Sequence, residues 1–441
     1  MDEKRYATPA EDMEEIHLGD KRLNARLVDS IRERMQCQTQ SRASAKAFYR
    51  LLGNTKFNAE KLAEQAQKKT MQRVSDYESV LLVQDTVDVE LNGHKKTEGL
   101  GYCSEHLKGI KTHTCLAVSE DGLPLGIVKQ SYITRQQAKS TLTEAQKRAR
   151  EIQDKESFRW IETAREAIAA LPPNTRGITV CDRECDIYEF FEEVQTLESD
   201  FVVRVAQDRK TETSEKLFDR MDNAPVKGKC VVDVPRDTRK NRAARQAKME
   251  VCAQPIRISK KENSLPLNIV RIHEVSQAPT AEDKIEWVLA TSLPIESESE
   301  VMKVVDNYIQ RWKIERFHYV LKGGCKVEQI QQRSVERIMP VILICSMIAS
   351  FILAMTYLGR VMPDVPCDVL FSEGEWKLLY RFAKRTKKAP DTPYPLGEAI
   401  RMLGELGTGK RAPSDGDFGV KSLWLGLRNF FLAANILVGQ V

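Results

Sequence analysis

Strand-like and helix-like segments alternate over residues 79–206 in an order that few folds accommodate. Residues 79–91 predict a strand, residues 110–133 a hairpin, and a charged helix follows over about 141–170. A short strand, an amphipathic helix and a further strand complete the order β-β-β-α-β-α-β by residue 206. An RNase H-like sheet requires this order, with three antiparallel strands followed by parallel ones. We therefore predict an α/β fold with an RNase H-like mixed-sheet core.

Further regions surround this core along the chain. Three more strand-like runs lie within residues 207–283 and predict an inserted β subdomain, whereas both ends of the chain are helical. The predicted regions are a helical N-terminal region, 1–70; the first part of the core, 71–206; the inserted β subdomain, 207–283; the second part of the core with a long helix, 284–360; and a C-terminal helical region, 361–441. The insertion is thus expected to split the core in sequence.

Composition excludes several classes of protein and of site. The chain is 41% hydrophobic and 30% charged, which is typical of a soluble globular protein. Its longest apolar run, 339–358, could cross a bilayer, but it is single and contains polar residues, so a buried core or dimer helix is favoured. The cysteines form no CxxC pair and the histidines show no zinc-ligand spacing. We expect a cytoplasmic protein with reduced thiols, in which any metal is a hard cation held by carboxylates.

Basic residues are concentrated in a few segments. The net charge is only +5, yet the segment 236–248 alone has six basic residues against one acidic residue. A second basic run covers 381–388, and a basic helical pattern covers 18–35. The cations singled out as DNA-binding candidates are Arg239, Lys240 and Arg242 in the first segment and Arg22 and Arg26 in the N-terminal helix. Solvated loops and a plain helical cap are the simpler interpretations, but beside a carboxylate-bearing core these runs favour nucleic acid as a partner.

One predicted helix presents four polar groups on a narrow face. In the run YIQRWKIERFHYVLK, Tyr308, Arg311, Glu315 and Lys322 fall within about 60° of one another at 3.6 residues per turn. An ion-paired, solvated surface is the simplest interpretation, because Arg311 and Glu315 are four residues apart. A single carboxylate among cations also suits a metal ion beside a polyanion. Other carboxylates of the chain decide between these two interpretations.

Two aspartates follow buried strand-like runs of the predicted core. Asp85 ends the run LLVQD, and Asp182 ends the run ITVCD. Because the carboxyl ends of neighbouring strands line one crevice, we expect these side chains close together, where a divalent cation would relieve their repulsion. A cap for the following turn is the alternative for each aspartate. With Glu315 as a third ligand, they could hold two Mg²⁺ ions about 3.5–4 Å apart for in-line phosphodiester displacement.

Four neighbouring carboxylates are rivals for this role. They are Asp88, Glu90, Glu184 and Asp186. Asp88 and Glu90 lie an odd number of residues from Asp85, so in a continuing strand they point to the opposite face. Asp186 is predicted to form an ion pair or a cap.

Together these motifs carry a family resemblance. They are LGDKRL (18–23), QDTVDVEL (84–91), VCDRECDIYEF (180–190), FVVR (201–204) and the spacing of Tyr308, Arg311, Glu315 and Lys322. That spacing is the Y-R-E-K signature of the bacterial DDE transposases of the insertion-sequence-four family. From about residue 18 to residue 330 the chain resembles this family, and it is similar to the transposase of transposon five.

The resemblance implies a cut-and-paste DNA transposase that forms a hairpin at each transposon end and joins the ends to target DNA. Asp85, Asp182 and Glu315 would be the catalytic, metal-binding triad for two Mg²⁺ ions, with Mn²⁺ as a substitute. Tyr308, Arg311 and Lys322 would bind transposon-end phosphates, with Arg204 of the FVVR motif as a further DNA contact. Trp287 is the better candidate to receive an unstacked base, with core packing as the alternative, whereas Trp312 is expected in the core.

The same resemblance implies the partners and the place of action. Double-stranded DNA is expected as terminal inverted repeats and as target, bound by a homodimer that pairs through the C-terminal helices. The expected location is the bacterial cytoplasm, in association with the nucleoid and without membrane contact. Two other functions stay open: an RNase H-like nuclease that cuts without joining, and a catalytically silent DNA-binding regulator derived from a transposase.

Overall fold

Two compact units make up the part of the chain that the computed structural model describes, which is residues 5–35, 42–137, 143–234, 243–260, 262–276, 284–410 and 417–438. The first unit contains the described residues of Met1–Asp76, Thr86–Thr141 and Lys313–Val441. The second contains those of Tyr77–Asp85 and Leu142–Trp312. The units are therefore not consecutive in sequence, and each is described by itself below.

Fourteen α-helices and nine strands occur among the described residues. The helices are α1 Pro9–Asp12, α2 Lys21–Met35, α3 Arg42–Leu52, α4 Ala59–Val74, α5 Glu144–Ala149, α6 Phe158–Ala169, α7 Tyr188–Thr196, α8 Leu217–Asp222, α9 Glu298–Ile309, α10 Trp312–Tyr319, α11 Val335–Val361, α12 Glu373–Lys384, α13 Leu396–Thr408 and α14 Val420–Val438. The strands are β1 Ser79–Glu90, β2 Gly109–Ser119, β3 Pro124–Ile133, β4 Arg176–Cys181, β5 Asp200–Arg204, β6 Val226–Val234, β7 Arg245–Lys260, β8 Asn263–Glu274 and β9 Glu286–Thr291.

A large mixed sheet forms the centre of the second unit. The first half of β1 pairs in parallel with β4, and β4 pairs in parallel with β5. Beyond β5 the order continues through β9, β8 and β7 to β6, with antiparallel pairing at every step. A mixed α/β fold with a large mixed sheet and helices is therefore confirmed. The strands β6, β7 and β8 fall in the segment predicted as an inserted β subdomain, and the division into five regions stays a prediction.

Strands β2 and β3 form an antiparallel hairpin in the first unit, as predicted. The turn between them contains Gly122 at φ +96°, a left-handed conformation that suits glycine because it has no Cβ. The order in this unit is β3-β2-β1, where β1 contributes its second half.

Helix α11 packs against the first unit's hairpin and is buried along most of its length. Among the described helices it is the one long and apolar enough to cross a membrane, and 94% of its most apolar window is buried inside the protein. Core helices of globular proteins meet the same test, so this helix is weak evidence for a membrane span. The prediction of a buried helix is confirmed.

Aromatic packing holds the second unit together on one side of its sheet. Trp160 of α6, Phe190 and Phe191 of α7 and Phe201 of β5 are all fully buried in one cluster. The rings of Phe191 and Phe201 stack with their centroids 5.1 Å apart. Each such ring removes a large apolar area from water, so this cluster fixes α6 and α7 against β4 and β5.

The predicted charged helix over about 141–170 is wrong in one respect. After α5 the backbone is extended at Arg150 and Glu151, and a short 3₁₀ turn precedes α6. Both Ile152, in that turn, and Phe158, at the start of α6, pack against the aromatic cluster. The interruption lets both apolar side chains reach the core. Helix α8 was not predicted from the sequence.

Helices α13 and α14 approach closely because glycines lie where they meet. A Cβ added to Gly426 would come within 1.8 Å of the Leu403 carbonyl oxygen, and one added to Gly407 within 2.0 Å of the Ser422 oxygen. Asn429 also donates a hydrogen bond across the pair to the Leu406 oxygen at 2.7 Å. The backbones therefore touch where a side chain would hold them apart.

Replacing Gly426 by alanine should destabilise the first unit. The added methyl group meets backbone rather than a movable side chain, so we expect a loss of about 1–3 kcal/mol in the free energy of unfolding. The matched control is Gly374→Ala in α12, where nothing lies within 4 Å of the added Cβ; it should change stability by less than about 0.5 kcal/mol. Urea unfolding followed by circular dichroism measures both. Equal stability of the two variants would contradict the close approach.

Candidate active site

Asp85 and Asp182 lie in matching positions on neighbouring parallel strands. Each partner pair of β1 and β4 is separated by the same 97 residues, from Ser79 with Arg176 to Val83 with Val180. Extending this register by two residues aligns Asp85 with Asp182. Partner residues on neighbouring strands lie about 4.8 Å apart and point to the same face. The two aspartates therefore occupy matching positions along the chain in the second unit.

The two aspartates differ in their backbone setting. Asp182 follows the end of β4 and caps a 3₁₀ turn, because its Oδ1 accepts a hydrogen bond from the Glu184 N–H at 2.9 Å. Asp85, by contrast, was predicted at a strand end, and this is wrong, since β1 continues to Glu90. The strand continues because its second half belongs to the sheet of the first unit. Asp85 instead lies where β1 extends beyond its partner β4.

Arg311 supplies positive charge beside this carboxylate pair. Its Nη1 is 3.9 Å from Asp85 Oδ2, and its side chain is only 9% exposed. Burial raises the pKa of the neighbouring Cys181 thiol; the Asp182 and Asp85 carboxylates raise it further, and Arg311 opposes them. The Cys181 thiol therefore lies within electrostatic range of both carboxylates and of the guanidinium. Arg311 offsets part of the repulsion between two aspartates that would be unfavourable alone.

Aromatic groups extend the site on the side of Arg311. The guanidinium lies 5.8 Å from the centre of the Tyr308 ring, and this ring packs edge-on against Trp287 at 5.4 Å. Tyr308 is buried, so burial raises the pKa of its phenol, and Arg311 and Arg204 oppose that shift. Burial lowers the pKa of Arg204, which the Tyr308 oxygen counteracts. The second unit thus brings together Asp85, Asp182, Arg311, Tyr308, Trp287 and Arg204.

The predicted continuous helix through Tyr308 and Lys322 is wrong. Helix α9 ends at Ile309, the Arg311 N–H donates to the Tyr308 oxygen three residues back, and α10 starts at Trp312. This tighter turn interrupts the 3.6-residue period on which the four-group face was predicted. The core position predicted for Trp312 is also wrong, since its side chain is 52% exposed. Its ring lies 5.6 Å from the Arg311 guanidinium instead.

Glu315 and Lys322 belong to the first unit. Glu315 is half-buried on α10. Lys322 lies in a π-helical turn, Val320–Gly324, that follows α10, and its Nζ is 2.8 Å from Glu328 Oε1. Single π-helical turns are frequent at functional sites. The roles of these two residues stay predictions, as do those of the second-unit residues.

Three of the four rival carboxylates take part in ion pairs within their own unit. Asp88 pairs with Lys111 at 2.7 Å, and Glu184 pairs with Arg159 at 2.5 Å. Asp186 is fully buried, pairs with Arg209, and accepts hydrogen bonds from the Ala206 and Gln207 N–H groups at 2.7 Å each. The ion pair predicted for Asp186 is therefore confirmed. These carboxylates are held by structural partners.

An open basic cleft in the first unit was missed by sequence analysis. It has a volume of about 1030 Å³. Its cationic lining residues are Lys46, Arg50, Lys95, Lys96, Arg333 and Arg337, and none of the described residues that line it is acidic. Hydrogen bonds from the Glu98 N–H to the Arg333 oxygen and from Thr97 Oγ1 to the Gln332 oxygen, both 2.8 Å long, join two of its walls. No local run could reveal the cleft, because its cations come from three distant segments.

The other basic residues predicted to bind DNA lie in different parts of the chain. Arg22 and Arg26 are exposed on α2. Arg239, Lys240 and Arg242 lie outside the described residues. The loop predicted over the whole of 236–248 is wrong at its end, where Arg245 belongs to β7 and pairs with the buried Glu274. Glu274 needs this partner because a buried carboxylate without a cation is strongly unfavourable.

The chemistry of the carboxylate pair suits a hard divalent cation. Two carboxylates on adjacent strands are oxygen donors of the kind that Mg²⁺ takes, and no histidine or thiolate is needed. Among the described residues, however, no group of three or more metal-ligating side chains lies close enough together to hold an ion. The role of Asp85, Asp182 and Glu315 as metal ligands therefore stays a prediction.

Removing a structural carboxylate and removing a candidate functional one should have different effects on stability. Asp186→Ala removes a fully buried carboxylate that pairs with Arg209 and accepts hydrogen bonds from the Ala206 and Gln207 N–H groups, so we expect a loss of about 3–5 kcal/mol in the free energy of unfolding. Asp182→Ala removes one capping hydrogen bond from a half-buried position and should cost about 1 kcal/mol. Urea unfolding of both variants measures the difference. A larger loss for Asp182→Ala would contradict this assignment.

Comparison with known proteins gives two family matches and one similar solved structure. Residues 160–351 match the family described as Transposase DDE domain, and residues 347–436 match the Transposase Tn5 dimerisation domain. Among solved structures, the chain is similar to the piggyBac transposase synaptic complex with hairpin DNA, with 9% identity and a TM-score of 0.34 over 68% of this chain. It spans about half of that chain, 51%. The two family matches together support a DDE transposase.

Proposed function

We propose that this protein is a cut-and-paste DNA transposase, which cleaves phosphodiesters at transposon ends, forms hairpins there and transfers the ends to target DNA. The observation that carries the proposal is the matching register of Asp85 and Asp182, with Arg311 beside them in the second unit. The match to the DDE domain agrees with it. The family is proposed as that of insertion sequence four, on the Y-R-E-K spacing.

The strand order supports an RNase H-like core for this activity. The antiparallel pair β3-β2 is followed in the order by β1, and β4 and β5 then run parallel to β1. The sequence predicts three antiparallel strands followed by parallel ones along the chain, and this arrangement supports the proposal. The strands β6 to β8 are proposed as its β insertion.

Asp85 and Asp182 are proposed to hold divalent cations together with Glu315, as two Mg²⁺ ions for which Mn²⁺ can substitute. When bound, such ions activate an attacking oxygen and stabilise a leaving oxygen at phosphorus. Arg311 and Lys322 are proposed to bind non-bridging phosphate oxygens, and Tyr308 is proposed to orient Arg311. Trp287, half-buried against Tyr308, is proposed to stack on an unpaired base at the hairpin.

The basic cleft is proposed to bind the DNA backbone. Its six cations, without a carboxylate among the described lining residues, form a surface that attracts phosphates irrespective of base sequence. The side chains of Arg22 and Arg26 and the basic segment with Arg239, Lys240 and Arg242 are proposed as further DNA contacts. The match of residues 347–436 to a dimerisation domain supports a homodimer on two transposon ends. The proposed location is the bacterial cytoplasm, at the nucleoid.

Substitution of the triad should remove chemistry and leave DNA binding. Asp182→Asn and Glu315→Gln should each lower cleavage and joining on the order of 10³-fold or more, because a neutral amide does not replace a charged ligand. The assay is incubation of purified protein with Mg²⁺ and a plasmid that carries the terminal inverted repeats of the host element, with gel analysis of hairpinned and joined products.

Asp88→Asn is the matched control, since Asp88 lies on the same strand as Asp85 and pairs with Lys111; it should retain cleavage. Cleavage without joining by the unsubstituted protein would indicate a nuclease, and a shifted DNA band without cleavage would indicate a silent regulator. Retained cleavage by Glu315→Gln would contradict the assignment of Glu315 to the triad.

Removal of cations from the cleft should weaken DNA binding irrespective of sequence. The double variant Lys95→Ala, Lys96→Ala should reduce the slope of log affinity against log salt by about 0.9 for each phosphate that the variant no longer neutralises. Lys229→Ala, Lys377→Ala removes the same charge from positions outside the lining and serves as control. Fluorescence anisotropy with labelled duplex over a salt series measures both variants. Identical slopes would rule out the cleft as a DNA site.

A further inference from the structure

Two thiols meet at the wall of a cavity in the first unit. Cys325 and Cys345 both line this cavity of about 350 Å³, together with Arg34 of α2 and Trp424 of α14. The Cys325 thiol donates to the Cys345 carbonyl oxygen, with Sγ and O 3.4 Å apart. Both residues are thiols in this structure. Their side chains thus share one cavity although they belong to different elements.

The backbone conformation around Cys325 places this residue at the wall of the cavity. The π-helical turn Val320–Gly324 closes when the Cys325 N–H donates to the Val320 oxygen at 2.9 Å, and Lys326 then takes a left-handed conformation at φ +50°. Gly324 allows close approach, since a Cβ there would lie 3.2 Å from the Trp424 ring. The chain therefore turns sharply at Cys325, directly beside α11, which carries Cys345.

A thiol and a cation both lie beside Cys345. Hydrogen bonding from Cys325 lowers the pKa of the Cys345 thiol despite its burial, and the positive charge of Arg34 lowers it further. The Arg34 guanidinium is held 4.3 Å above the Phe48 ring. Burial has the opposite effect on Cys181 and on Cys367, whose pKa it raises, in the latter to about 11. Thiols near cations are the reactive ones, whereas thiols in apolar surroundings are inert.

We propose that Cys325 and Cys345 are a redox-active pair that closes to an intramolecular disulfide by exchange with a small disulfide that reaches this cavity. The half-buried Cys325 sulfur attacks the small disulfide, so that a mixed disulfide forms and one thiolate leaves with the Cys325 proton. Cys345 sulfur then attacks the Cys325 sulfur, and the second thiolate leaves and takes up the Cys345 proton. Two cysteine thiols are oxidised, and one small disulfide is reduced to two thiols.

The closed disulfide would join the π-helical turn to α11. Lys322 lies within that turn, three residues before Cys325. Oxidation would therefore restrain the segment that carries a predicted phosphate-binding residue. The thiol chemistry itself does not depend on the proposed transposase activity.

The test is oxidation of the reduced, folded, full-length protein with oxidised glutathione. Remaining thiols are alkylated at intervals, and peptides are identified by mass spectrometry. We expect a peptide pair linked through Cys325 and Cys345, formed about tenfold or more faster than glutathione adducts at Cys230, and reversed by dithiothreitol. Cys345→Ala should trap glutathione on Cys325, because the second thiol is missing. Cys230→Ser, a half-buried thiol on β6, is the control and should form the linked pair as before.

Cys325→Ser provides a second variant at a half-buried position in case Cys345→Ala does not fold, and it should abolish the linked pair with an unchanged thermal midpoint. The proposal is overturned if both thiols remain available to alkylation in the folded protein, or if the linked pair forms only in denaturant. It is also overturned if the two thiols are protected by a metal that a chelator removes, because the pair would then be a metal site. None of these outcomes depends on DNA cleavage.

Discussion

Parallel pairing of β1 with β4 is the constraint on which the candidate site of the second unit depends. Consecutive residues are buried on both strands, Val80–Val83 on β1 and Ile178–Cys181 on β4, so packing on both faces of the sheet holds this register. Apolar burial therefore places two carboxylates in matching positions although their charges repel. The buried Arg311 guanidinium offsets part of that repulsion.

The acidic residues near Asp85 and Asp182 form structural ion pairs. Asp186 holds the loop after β5 through backbone N–H groups and Arg209, and Glu184 pairs with Arg159. Asp85 and Asp182 differ from them in occupying matching positions of β1 and β4, which the sheet register sets. The turn at Arg311 has a comparable effect, because interruption of the helix brings its guanidinium towards Asp85 and exposes the neighbouring Trp312. Site geometry in this unit thus follows from a sheet register and one break in a helix.

Much of the fold was predictable from periodicity, and the exceptions have local physical causes. The hairpin of β2 and β3 and the buried helix α11 follow directly from alternation and from apolar length. The break between α5 and α6 could not be predicted in this way, because it depends on the packing of both Ile152 and Phe158 against one aromatic cluster. A helical pattern over charged residues contains no information about that cluster. For the site, residue types and spacing indicated the pair Asp85 and Asp182, but not which neighbouring carboxylates were already paired.

The sequence by itself determined the succession of strands along the chain, the 97-residue separation of the two aspartates and the Y-R-E-K spacing, because these depend on local periodicity and on position along the chain. Only the tertiary structure decided which charges meet. The cations of the basic cleft come from three segments far apart in sequence. Arg34 and Trp424, which line the cavity of Cys325 and Cys345, are likewise far from these cysteines in sequence. The interactions of these residues depend on distance and burial in the folded chain, and the spacing of residues along the sequence predicts neither.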